Sequence, residues 1–150
     1  MSRFVFRLEP LLKYRRHYRD LCATLLGQLL ANGRELDLQK ESLKAQHRGQ
    51  LDEIRNIVKQ GQLDIDRAAN RRYFAGHLIG QMHSLSQQRS LLEEQIQQCR
   101  QTLIEADRNV KVLEKLREKQ YLEFQTEQLR KTERELSETW LAAHAVEFSQ

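Results

Sequence analysis

The chain has little with which to turn. One proline and six glycines serve 150 residues, whereas a fold with many reversals needs turn residues at each of them, so a many-element globule is excluded. β-Branched residues are sparse beside Ala, Glu, Lys, Leu, Arg and Gln, which leaves almost nothing that prefers a sheet. Two cysteines, Cys22 and Cys99, are too few for a disulfide framework and match no zinc spacing. They point to a reducing compartment. No run approaches the roughly 20 apolar residues of a membrane span. Arg7 and Glu9 interrupt the opening "MSRFVFRLEPLL" and argue against a signal peptide. The expectation is an all-α, soluble, cytoplasmic chain without direct membrane insertion.

Catalytic patterns are lacking too. There is no glycine-rich phosphate loop, no Gly-Lys-Ser/Thr, no His-Glu-x-x-His and no Cys-x-x-Cys. His77 and His83 fall on different faces of a helix, and the adjacent Glu93 and Glu94 diverge around it. A pair of helices also has no concave interior from which to exclude water. The sequence therefore calls for no enzyme, no cofactor and no metal.

What is present is periodicity. Leu78, Met82, Leu85, Arg89, Leu92, Ile96, Cys99, Leu103, Ala106, Val110 and Leu113 recur in alternating steps of four and three, a heptad seam that only Arg89 breaks. A weaker seam runs through Cys22, Leu25, Leu29, Asn32, Leu36 and Leu43, then shifts phase by one to Leu51, Ile54, Val58 and Ile65. Pro10 belongs in a first turn, because deeper in a helix it would remove a hydrogen bond and clash. In "KQGQLDIDR", Lys59 suits a last turn, Gly61 a residue at positive φ and Asp64 an N-cap. The competing reversal, "FAGHLIG" (Phe74 to Gly80), puts its glycines among heptad residues and lacks a cap.

The fold class that follows is a long antiparallel two-helix coiled-coil hairpin, second helix longer than the first. As one domain over the whole chain, it has a first helix at about 8–59, a turn at about 60–64, a second helix at about 65–143 and a tail at about 144–150. Folded back, residue i faces roughly residue 122 − i, which sets Cys22 near Cys99 and Leu8 near Glu114. Both cysteines then lie on the seam as small apolar packing. Beyond Lys115 the second helix has no partner in the chain, although Leu116, Leu122, Phe124, Leu129, Leu136, Trp140 and Leu141 continue an apolar stripe. A stripe of that kind seeks another chain.

Two basic runs fall at this end: "KYRRHYR" (Lys13 to Arg19), and Arg108, Lys111, Lys115, Arg117 and Lys119. Three readings are open for them: tyrosines and arginines that stack and clamp nucleic acid, a solvated coil surface, and a contact for an acidic protein partner. The third is preferred, and no nucleic acid is expected. Near the turn, Tyr73, Phe74, Leu78 and Ile79 carry more apolar surface than a narrow seam needs, a broadened helix contact or a second patch for a partner.

With these residues in view the chain resembles the FliJ family of flagellar type III export proteins. The likeness lies in "FVFRLEPLLKYRR", in the turn "GQLD" followed by an aromatic residue, and in the basic "VKVLEKLREKQ", over nearly the whole chain. The ending "ETWLAAHAVEFSQ" departs from the family's charged terminus. The resemblance implies an antiparallel coiled coil similar to the central stalk of rotary ATPases. Its end bearing both termini would enter the hexameric export ATPase and promote its activity; its turn side would meet the membrane-embedded export gate, and export chaperones would be further partners. Carried onto this sequence, it assigns Arg7, Leu12, Arg15, Arg16, Lys115, Arg117 and Lys119 to the ATPase, and Gln39, Leu43, Phe74 and Leu78 to the gate. Gln46 and Gln50 stand where the family pattern leads one to expect aromatic side chains. The location implied is the cytoplasmic face of the inner-membrane export apparatus. Rival readings are a nucleic-acid-associated coiled coil, a generic adaptor and a virulence-type secretion stalk.

Overall fold

The computed structural model describes residues 2–61 and 64–149, which form two helices, α1 (Glu9–Lys59) and α2 (Ile65–His144), and no strand. Gln62 and Leu63, within the expected turn, lie outside the described residues. The helix ends follow local chemistry. Pro10 sits in the first turn of α1, where its missing N–H leaves no hydrogen bond unmade, and the Leu12 N–H donates to the Leu8 carbonyl at 2.9 Å. Past Lys59, Gly61 takes φ 67°, the left-handed conformation that ends a helix and that glycine adopts without a Cβ clash. Asp64 caps α2: its Oδ1 accepts from the Arg67 N–H at 3.2 Å and its carbonyl from the Ala68 N–H at 3.1 Å. The alternative reversal at Phe74 to Gly80 is continuous helix, and added Cβ atoms at Gly76 and Gly80 would meet nothing.

The hairpin is divided into two compact units, and both helices contribute to each. The first comprises residues 1–19 with 105–150, the second residues 20–104. In the second unit the helices run antiparallel, with Arg71 Nη2 2.9 Å from Glu53 Oε2, Arg89 Nε 3.2 Å from Asp37 Oδ1, and Cys99 against Cys22. The α2 seam read from the sequence is correct: every position from Leu78 to Leu113 is buried or half-buried. The α1 seam needs correction. It runs through Cys22, Leu26, Leu29, Gly33, Leu36, Lys40, Leu43, His47, Gln50, Ile54 and Ile57 without a phase shift, while Leu25, Asn32, Leu51 and Val58 are exposed. Gly, Lys, His and Gln at heptad positions hide the continuity from an apolar count.

Arg89, the one charged residue of the α2 seam, is accommodated by Gly33. A Cβ at Gly33 would lie 3.1 Å from the Arg89 Cζ, so the absent side chain makes room for the guanidinium. Nη1 of Arg89 donates to Glu93 at 3.0 Å and Nε to Asp37 at 3.2 Å. The hydrogen bond to Glu93 raises the Arg89 pKa above its usual value, against some desolvation, with Asp37 adding to it. Glu93 is lowered, first by the Gln97 amide and then by Arg89. A charged layer in a helix seam restricts pairing register at some cost in stability. Replacing Arg89 by Leu is expected to remove its bonds to Asp37 and Glu93 and to make amide exchange in this unit heterogeneous, as slipped pairings become accessible.

Candidate protein-binding surface

The basic end is built within the first unit. Its antiparallel pairing is fixed by Glu9 with Arg117 at 3.2 Å, Arg16 with Glu114 at 3.0 Å and Arg19 with Asp107 at 3.9 Å. Glu9 therefore meets α2 about one helical turn further along than the 122 − i rule placed it. Residues 2–8 are not part of α1; they run as a strap along α2. Phe6, Leu12 and Val110 are buried together, with Phe4, Leu113 and Leu116 packed around them. The Phe4 ring lies edge-on to Tyr121 at 5.3 Å between centroids and tilted against Phe124 at 5.6 Å.

The strap corrects the expectation that α2 lacks a partner beyond Lys115. Leu116 and Phe124 are covered, and cover extends to Phe124. Farther on, Leu129, Leu136, Trp140 and Leu141 remain exposed, as does Leu122. Trp140 stacks on His144 at 4.3 Å, one turn along its own helix. The strap was not legible as packing, because an irregular segment has no periodicity to read; the alternation of Phe4 and Phe6 was the available signal.

The residues assigned to the ATPase all fall in this unit, in three distinct situations. Arg16 and Arg117 hold the helices together: Nε and Nη2 of Arg16 donate to the same Glu114 oxygen at 3.2 and 3.0 Å, and Arg117 pairs with Glu9. Leu12 is fully buried and shapes the surface from beneath. Arg7, Arg15, Lys115 and Lys119 make no ion pair among the described residues, and all but half-buried Arg15 are exposed. Beside them lie exposed Val5, Tyr14, Val112 and Tyr121. A shallow groove between Phe4, Arg16, Glu114, Arg117, Glu118 and Tyr121 joins aromatic edges to paired charges. Lys111 donates to Asp107 at 2.8 Å, and this bond, with Arg19 adding to it, holds the Asp107 carboxyl below its usual range. Asp107 is thus ionised at neutral pH and offsets part of the basic run.

The residues assigned to the gate all fall in the second unit, but the structure separates them. Gln39 and Leu43 line a shallow groove with Ser42, Gln81, Ser84 and Leu85. Phe74 is off the seam and 42% exposed, whereas Leu78 is 1% exposed between the helices. Tyr73 and Ile79 are also exposed, so this part of α2 carries apolar surface outside the seam.

Among the described residues no three metal-ligating side chains converge. A family model described as "Flagellar FliJ protein" matches residues 4–146. The chain belongs to the FliJ family. No curated protein and no solved structure matches it. The match takes in the strap, both helices and the basic end, and makes this FliJ-family chain an export-related flagellar protein of a structural and regulatory, non-catalytic family. Among the described residues no helix is long and apolar enough to cross a membrane.

Proposed function

We propose that the chain is a stalk-like regulator of the hexameric flagellar export ATPase, which its first unit enters and activates. The supporting observation is the set of cations, Arg7, Arg15, Lys115 and Lys119, left unpaired beside exposed apolar residues, while Arg16 and Arg117 are committed to the helix pair. Unpaired charges over a firm core attract an acidic surface at long range and adapt to repeated subunits without selecting one rotational state. Differential affinity for the ring's conformations then biases its catalytic cycle. The chain itself performs no catalysis in this reading. It associates peripherally with the inner membrane through the export gate, met by the Gln39 and Leu43 groove and by Phe74, with Leu78 supporting that surface from the seam. Export chaperones are further partners.

The test is ATP hydrolysis by the flagellar export ATPase of the same organism, with and without the full chain, at 50 and 300 mM salt. Stimulation at substoichiometric amounts, reduced several-fold at the higher salt, is the expected result. An unchanged rate with no co-sedimentation would overturn the stalk reading. Salt-sensitive binding to RNA or DNA under those conditions would favour the nucleic-acid alternative.

A further inference from the structure

We propose that Cys22 and Cys99 are a redox modification site, an interhelical disulfide within the second unit closed by exchange with a small oxidised disulfide such as oxidised glutathione. They are the chain's two cysteines. Both are free and buried, one on each helix, 77 positions apart in sequence. The seam places them in one layer, and the Cys99 Sγ–H donates to the Cys22 carbonyl oxygen at 3.7 Å. That oxygen is two bonds from the Cys22 Cα, so the Cys99 sulfur already reaches the opposite backbone. Disulfides need Cα separations of about 4.4–6.8 Å, and a layer of two small side chains lets the helices approach. Leu or Ile at either position would hold them farther apart.

The exchange balances without a further reagent. During a local opening of the seam, one cysteine thiolate attacks a sulfur of oxidised glutathione, forming a mixed disulfide and releasing one glutathione thiolate. The second cysteine thiolate then attacks the protein sulfur of that mixed disulfide and displaces the second glutathione. The two thiol protons pass through solvent to the two leaving thiolates; the protein sulfurs are oxidised and glutathione is reduced. The fold holds the second thiol beside the first, so closure is intramolecular and outcompetes accumulation of the mixed disulfide. The product joins α1 to α2 across a long loop, which constrains the unfolded chain strongly. The inference stands apart from the ATPase reading, because neither cysteine lies on the basic end.

The test uses the full chain, equilibrated in reduced and oxidised glutathione over a range of ratios, quenched with a maleimide and mapped by mass spectrometry. The expected product is a monomer that has lost two hydrogens, with the Cys22 and Cys99 peptides linked and a thermal midpoint raised by more than about 10 °C. Cys22→Ser and Cys99→Ser should each abolish the link and the rise, and Cys22→Ala and Cys99→Ala, which keep an apolar seam, should do the same. Thiols that stay free at the most oxidising ratio, stable glutathione adducts or links between two chains would each overturn the proposal.

Discussion

Changing Arg7, Arg15, Lys115 and Lys119 together to Glu is expected to reduce stimulation of the export ATPase at least tenfold, with the helices intact. None of the four holds an ion pair among the described residues, and all but half-buried Arg15 are exposed, so their reversal breaks no charge pair between the helices. Exposed substitutions of this kind commonly change stability by about 0.5 kcal/mol or less. The effect on association is larger, because each reversal turns attraction for an acidic surface into repulsion. Reversing Arg16 and Arg117 provides the contrast: these pair with Glu114 and Glu9, and their loss is expected to loosen the unit as well as the contact. Circular dichroism and ATP hydrolysis on both variants separate the two effects. A quadruple variant that stimulated normally would remove the charged surface from the mechanism.

Replacing Val110 by Asp is expected to dismantle the core of the first unit and release the strap. Val110 is fully buried in an apolar cluster with Phe6 and Leu12, flanked by Phe4, Leu113 and Leu116. The substitution should cost about 4 kcal/mol or more, since an unpaired buried charge adds to the lost apolar contact. Limited proteolysis between Phe4 and Leu8 is then expected to be several-fold faster than in the wild-type chain, where Phe6 anchors the segment. Leu122→Asp, on exposed surface of the same helix, should leave the cleavage pattern unchanged. Retained protection in the Val110 variant would show that the strap does not depend on this core.

The contrast between the two helices shows what sequence can carry. α2 was legible because most of its seam positions hold Leu, Ile, Met, Val or Cys, so burial and hydropathy coincide. In α1 they diverge: Lys40, His47 and Gln50 are half-buried, while Leu21, Leu25 and Leu38 are exposed. Long polar side chains can lay their stems along a seam and keep their heads in water, which breaks the link between residue type and position. The basic end could be located, but its division into structural and unpaired cations could not, because Glu9 and Glu114 become partners only through the antiparallel register. The residues assigned to the gate show the same limit. Phe74 and Leu78 lie one turn apart on α2, yet one is exposed and the other enclosed.

The strap gives the first unit its own way of opening. The Glu9 N–H donates to the Phe6 carbonyl at 3.2 Å and the Leu12 N–H to the Leu8 carbonyl at 2.9 Å, so the segment's described backbone bonds lie where it joins α1. Farther out its attachment rests on Phe4 and Phe6. The segment can therefore peel away without unwinding either helix. Such an excursion would bare Leu116 and Phe124 and add to the already exposed Tyr121, so the aromatic area this end can present is gated by a seven-residue latch.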